Sequence, residues 1–212
     1  MSKVYILRNC LEDMTSHDGF VWPKSGYVSC SDWSEENECG NGLHGFLWGV
    51  GNTDLLYPLT NCQWLIVEVD EDKIIDLGDK VKFPEGNVVF CTQSRDEAID
   101  KMIEYGASPN TIMYGTSTSG DGGTSTSGDY GTSTSGRCGN STSGYFGTSI
   151  SGDFGYSYSI QGKVKTGNNG VIAVGYSCLI SNKRTIKVGH VPEELKPNTF
   201  YKVVDGEWVE TD

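Results

Sequence analysis

His44 is the side chain in this sequence best placed for chemistry. It stands in Gly42-Leu43-His44-Gly45, with Trp48 close behind. Imidazole changes charge near neutral pH without help from its surroundings, so it serves readily as a proton donor, acceptor or ligand contact. Glycines on either side let a ligand approach closely, and a nearby indole offers a stacking face. Trp22, Trp33, His44 and Trp48 are therefore the candidate ligand-binding residues. The chemistry they suit is recognition of a nucleotide or NAD-derived ligand, by analogy with ADP-ribosyl-handling folds that set a His-bearing strand beside glycines. The more ordinary reading of the same imidazole is a core or turn histidine bonded to backbone.

Other constellations are weaker. Cys10, Cys30, Cys39 and His44 lie 20, 9 and 5 residues apart, without the close pair that structural zinc sites use. The acidic run Glu68, Asp70, Glu71 and Asp72 lacks the alternating Asp pattern and glycine of a calcium loop, and reads as a solvated turn. No serine has the strand-to-helix setting of a nucleophile elbow, and no phosphate loop occurs. No catalytic set, metal or cofactor is expected.

A different kind of surface is written between Gly115 and Gly162. Six octads follow in register: GTSTSGDG, GTSTSGDY, GTSTSGRC, GNSTSGYF, GTSISGDF and GYSYSIQG. Self-similarity at a fixed period marks a repeat architecture, whereas flexible Gly/Ser linkers drift in spacing. In each T-S-T-S run, successive side chains of a strand point to opposite faces. The small serines fit between two closely packed sheets. The β-branched threonines suit the outer pleated surface: Thr116, Thr118, Thr124, Thr126, Thr132, Thr134, Thr142 and Thr148. Gly115, Gly123, Gly131, Gly139 and Gly147, with the glycines at the sixth place, are expected to give the corners their backbone freedom, with Asp121, Asp129 and Asp153 in the turns. Two octads then close one coil, and the segment makes about three rungs spaced ~4.8 Å. Flat Thr rows resemble the ice-binding face of some antifreeze solenoids. An exposed sheet face or open end of so short a solenoid predicts homo-oligomerisation.

The elements around it are legible from punctuation and alternation. Residues 1–110 read as an α+β domain, with strands at Val4–Leu7, Phe20–Trp22, Trp64–Val69, Lys73–Leu77 and Val88–Cys91. One helix starts at a Ser94 cap with Glu97 as its capping-box partner and ends at Gly106. Residues 111–162 form the solenoid, and 163–212 a β cap with strands at Val171–Val174, Cys178–Ile180 and Thr185–Val188. Asp205-Gly206 signals a terminal two-residue hairpin. The fold class is mainly β.

The net charge of −12 is uneven: −11 over residues 1–110, −2 over 111–162 and +1 over 163–212. So acidic a surface disfavours direct binding to nucleic acid or anionic membranes. The start lacks the apolar region of a secretory signal and no stretch approaches ~20 apolar residues, which predicts a cytoplasmic protein. Seven cysteines without a C-x-x-C pair predict reduced, buried thiols.

Several of these segments taken together carry a resemblance. Trp22-Pro23 with Gly26 and Cys30, Asp32-Trp33, CGNGLHGFLWGVG from Cys39, the Trp64 strand ending in Val67-Glu68-Val69-Asp70, and KVKFPEGNVVFC from Lys80 are the segments concerned. They resemble an uncharacterised family of small bacterial and phage proteins in which such a domain precedes octads of the GTATASGDY type. This chain departs in carrying serine where those repeats carry alanine, which leaves more buried hydroxyls to satisfy. The resemblance implies a phage-type accessory protein, with a solenoid scaffold and an N-terminal domain that engages a host factor or sequesters a nucleotide-like ligand. The other classes carried forward are a virion or surface assembly protein, an enzyme acting on an NAD-like or nucleotide substrate, and an ice-binding protein.

Overall fold

The computed structural model describes residues 2–57, 60–178 and 183–212. It comprises two compact units, Met1–Ser108 and Pro109–Asp212. The first holds seven antiparallel strands: β1 (Lys3–Leu11), β2 (Gly26–Ser29), β3 (Leu43–Leu47), β4 (Cys62–Asp70), β5 (Ile75–Asp76), β6 (Val81–Phe83) and β7 (Glu85–Thr92). They form one sheet in the order β2-β7-β4-β1-β3-β6-β5. β1 and β4 are central and mostly buried on both faces, and they pair over nine residues from Lys3 opposite Asp70 to Leu11 opposite Cys62. Ile6, Cys10, Leu65, Val67, Trp22 and Phe83 lie in the apolar cluster on this sheet.

Helix α1 (Arg95–Glu104) begins at Ser94, whose hydroxyl accepts from the Glu97 N–H. The return half of the capping box is replaced by a relay. Thr92 Oγ1 donates to the Glu97 carboxylate at 2.6 Å and accepts from the Ser94 N–H at 3.0 Å. Gly106 ends the helix at a φ of 110°. Phe20–Trp22 forms no strand, only a single bridge between Thr15 and Val21, and Lys73–Leu77 shortens to β5 after a 3-10 turn at Glu71–Lys73. In the acidic run, Asp70 pairs with Lys3 at 2.9 Å and approaches Lys73 at 3.7 Å.

The second unit is a β-solenoid. β8 (Thr116–Thr118), β10 (Thr132–Thr134), β12 (Thr148–Ile150) and β14 (Lys163–Lys165) stack in parallel as one sheet. β9 (Thr124–Ser127), β11 (Asn140–Tyr145), β13 (Tyr156–Ile160) and β15 (Val171–Cys178) stack as the other. Thr116 pairs with Thr132 and Thr132 with Thr148, so a coil takes 16 residues. The winding continues one coil past the octads. There Thr148 pairs with Lys163 and Tyr156 with Val171, a step of 15. Two strands read from the sequence, at Val171 and Cys178, merge into β15, and Leu179–Ile180 lie outside the described residues.

Serines fill the interior. Those at the third place of the octad make a zigzag between the sheets: Ser125, Ser133 and Ser141 donate to the carbonyls of Ser117, Ser125 and Ser133 at 2.7–2.8 Å. At the fifth place Ser119, Ser127, Ser135 and Ser143 have buried hydroxyls with no hydrogen-bond partner among the described residues, as does Ser149 at the third place. Near the last coil the fifth-place serines are bonded, Ser151 to Ser157 and Thr166, and Ser159 to the Gly147 carbonyl. In the last coil the serine columns turn apolar, as Val164, Ile172 and Val174 stand over Ser149, Ser157 and Ser159. Val191, Leu195 and Tyr201 close over these three. β16 (Lys183–His190) pairs antiparallel with β15, and β17 (Phe200–Val204) with β14. β18 (Glu207–Thr211) completes the terminal hairpin, with Asp205 and Gly206 both at positive φ as a type I′ turn requires. At the other end Ile112 and Met113 are buried, and Asn110 accepts from Ser117 at 2.8 Å.

The corners correct one expectation. The first- and sixth-place glycines are not the left-handed residues; the eighth place is, with φ of 56° at Tyr130 and Cys138, 53° at Phe146 and 59° at Phe154. The glycines are needed for space instead. A Cβ on Gly131 would lie 2.6 Å from the Gly115 carbonyl oxygen, and one on Gly136 would strike the Asp121 carboxylate. That carboxylate is a staple: Asp121, Asp129 and Asp153 accept from the N–H of Arg137, Tyr145 and Asn168, one coil on, at 2.7–2.8 Å.

Candidate functional site

The two outer faces of the solenoid present what the octads encode. On the β8 sheet, one column runs Thr116, Thr132, Thr148, Lys163, and its neighbour Thr118, Thr134, Ile150, Lys165. On the β9 sheet the columns run Thr124, Asn140, Tyr156, Val171 and Thr126, Thr142, Tyr158, Ala173. Every one of these threonines is exposed or half-exposed, while Ser125, Ser133, Ser141, Ser149 and Ser157 behind them are at most 2% exposed. Parallel register sets each hydroxyl and methyl ~4.8 Å from its like along the column, and ~6.7 Å from the threonine two residues along the strand. The staples and the close glycine corners hold that grid fixed. Chemically it is an ordered array of alternating methyls and weak hydrogen-bonding groups, able to fix the positions of water across a flat surface. It is cleanest on the β8 sheet and gives way to tyrosines on the other.

One corner carries an aromatic stack of Tyr114, Tyr130 and Phe146, with successive ring centroids 5.3 Å apart. Phe146 and Phe154 are each about half exposed, at 48% and 52%. Cys138 at such a corner is also exposed, as is Cys39, so the expectation of buried thiols holds for Cys10 and Cys62 but fails for these two. All six cysteines whose side chains are described are free.

In the N-terminal unit, the segment holding His44 is a strand, β3, paired with β1 and β6. His44 and Trp22 line a cavity of about 1010 Å³, together with Arg8, Tyr57 and Lys80. Trp33 and Trp48 do not line it. Trp33 lies against Gly42, where a Cβ would come within 3.0 Å of the indole, and Trp48 meets the edge of Tyr5 at 5.7 Å. The other glycine of the motif, Gly45, is filled in the same way by Ile6. The glycines therefore admit the protein's own side chains beside His44.

The His44 Nε2 is buried without a hydrogen-bond partner among the described residues. Burial, then the nearby charges of Lys80, Arg8 and Lys82, depress its pKa to about 4, against a weaker opposing bond from the Gly42 backbone, so the ring is neutral at pH 7. Arg8 lies over the Trp22 ring at 4.2 Å and donates to the His44 carbonyl at 3.0 Å. Burial lowers the guanidinium pKa to about 10, which leaves it charged. Arg8 is the residue that motif reading overlooked. Its signal was the alternation Val4, Ile6, Arg8, Cys10, which sets a cation in a row of core residues. Cys10, Cys30, Cys39 and His44 are not gathered: among the described residues no three His, Cys, Asp or Glu side chains converge as metal ligands would.

Comparison with known proteins gives a domain model and a set of bacterial relatives. Residues 4–99 match the model of a domain of unknown function, DUF7666. The chain is 34% identical over 119 residues to an ice nucleation protein of Xanthomonas campestris pv. translucens, a match covering 55% of this chain and 7% of that protein. It is 38% identical over 89 residues to the ice nucleation protein InaU of Pantoea ananas, covering 41% and 9% respectively. It is 40% identical over 89 residues to an ice nucleation protein of Pseudomonas fluorescens, covering 41% and 7%. The chain thus spans less than a tenth of the length of these relatives. No solved structure matches it. These bacterial relatives favour the ice-binding alternative and lend no support to the phage-accessory reading.

Proposed function

We propose that the solenoid unit is an ice-interacting module whose working surface is the threonine grid of the β8 sheet. The observation that carries this is the pairing in register of Thr116, Thr132 and Thr148 beside Thr118 and Thr134, with the serines behind them buried. A rigid array of methyls and hydroxyls favours an ordered water layer over it, and such a layer joins an ice lattice at little entropic cost. Similarity to proteins named for ice nucleation supports the same reading. The three threonine rungs of this sheet offer a small template. Adsorption to ice that already exists is therefore the function assigned, since nucleation requires a template as large as the critical nucleus.

Ice-crystal shaping and thermal hysteresis at millimolar protein test this directly, with droplet-freezing temperature measured alongside. The expected result is faceted crystals and a hysteresis gap that collapses in Thr132→Lys and Thr134→Lys. Round crystals and no gap in the wild type would refute it.

A further inference from the structure

We infer that the cavity in the N-terminal unit binds a small organic oxyanion, a carboxylate or phosphate ester on a planar apolar body, with Arg8 as its principal contact. The case begins with charge. Of the eight cations in residues 1–110, Lys3, Lys73, Arg95 and Lys101 pair with carboxylates. The other four, Arg8, Lys24, Lys80 and Lys82, have no carboxylate partner among the described residues. Lys24 is exposed, where water serves it. The remaining three all act on His44. Two of them, Arg8 and Lys80, line the cavity, while Lys82 is buried with its ammonium 5.5 Å from the Trp33 ring. Cations without a carboxylate partner, in a segment of net charge −11, are an arrangement that folding alone does not favour, because a partly buried charge without a counter-ion carries a desolvation cost.

The acids that line the cavity do not relieve it: Asp18, Asp32 and Asp54 are exposed and make no ion pair with Arg8 or Lys80. The Arg8 guanidinium, 4.2 Å over the Trp22 ring, donates from Nε to the Asn9 carbonyl at 3.4 Å and from Nη1 to the His44 carbonyl at 3.0 Å, which leaves its Nη2 and the second Nη1 proton to meet an oxyanion. The unpartnered Nε2 of His44 supplies a second polar contact, as donor or acceptor according to its tautomer. The walls are apolar: Phe20 and Tyr57 line the cavity, with Leu55 41% exposed among them. The volume is that of a drug-sized or nucleotide-sized ligand.

The test uses the full chain with four probes: AMP, benzoate, inorganic phosphate and, as the uncharged control, adenosine. Binding is read by calorimetry and by the fluorescence of the tryptophans. The expected result is saturable binding of AMP or benzoate, weaker binding of inorganic phosphate and none of adenosine. Which of AMP and benzoate binds tells a phosphate ester from a carboxylate. Arg8→Gln is expected to weaken binding at least tenfold, and His44→Gln several-fold. Should Arg8→Gln fail to fold, the Arg8 side-chain Nε–H resonance of the wild-type protein takes its place, and it is expected to shift on titration. No binding of any anionic probe at millimolar concentration would overturn the assignment. So would equal binding of adenosine, unchanged affinity in a folded Arg8→Gln protein, or an Arg8 resonance that does not move.

Discussion

Two serines two residues apart on the same strand path are predicted to respond in opposite directions to the same substitution. Ser133 is fully buried, and its hydroxyl donates to the Ser125 carbonyl at 2.8 Å while lying 3.1 Å from Ser125 Oγ and 2.9 Å from Ser141 Oγ. Ser133→Ala removes one hydroxyl from the middle of that zigzag and strips the Ser125 carbonyl of its side-chain donor. A net hydrogen bond is worth ~1 kcal/mol, and the acceptor left unsatisfied adds to the loss, so the expected cost is ~1–2 kcal/mol. Ser135 is 4% exposed and its hydroxyl meets nothing. Ser135→Ala removes a desolvated, unpaired polar group and leaves almost the same volume, so it is expected to stabilise by ~1 kcal/mol. The difference between the variants, ~2–3 kcal/mol, corresponds to a separation of about 10 °C or more in melting temperature for a unit of this size. Thermal unfolding followed by circular dichroism, with urea denaturation as a second measure, resolves it. If Ser135→Ala proves as destabilising as Ser133→Ala, the Ser135 hydroxyl is satisfied in solution, and the contrast drawn between the two serines is wrong.

Other outcomes follow from the corners, the imidazole and the outer faces. Gly136→Ala would set a methyl 2.7 Å from the Asp121 nitrogen and against its carboxylate, so it is expected to cost ~2 kcal/mol or more, read as a fall in melting temperature. Asp129→Ala removes the acceptor of the Tyr145 N–H and is expected to cost ~1–2 kcal/mol by the same measurement. With the His44 pKa near 4 in the folded chain and ~6.5 when unfolded, the unfolded state binds the extra proton between those values. The neutral ring's contribution is whole above pH 6.5 and is lost as pH falls through 4. Wild-type melting temperature should therefore drop faster than that of His44→Gln across that window. Light scattering is expected to show association through the other outer face, whose columns carry Tyr156 and Tyr158, leaving the β8 grid uncovered; a monomer at every concentration would exclude it.

The solenoid was legible because strict two-residue alternation leaves one assignment of faces once the smaller set is turned inward. Its corner mechanism was not. Tyr130, Phe146 and Phe154 are aromatic and Cys138 is not, and none is the glycine or asparagine by which a left-handed backbone is usually read, so the turn conformation was hidden behind residues of unrelated habit. The fourth coil was hidden for a related reason: Val164, Ile172 and Val174 replace serines and the step shortens to 15, so the octad signature stops where the winding does not. In the N-terminal unit, Gly42 and Gly45 read as openings for a ligand beside His44, yet those glycines are what let a strand lie against Trp33 and Ile6. His44 and Trp22 were found by residue type. Arg8 required knowing which way β1 faces.

Because strands alternate between two sheets, the apolar plug at the last coil also limits how this chain can change in length. Val164 must arrive on the sheet that β17 completes, and Ile172 on the sheet that β16 completes. Gain or loss of one octad would deliver every later strand to the wrong side and mismatch both lids. Slippage by sixteen residues preserves the fit. An added coil fits this fold upstream of the plug, in steps of sixteen residues.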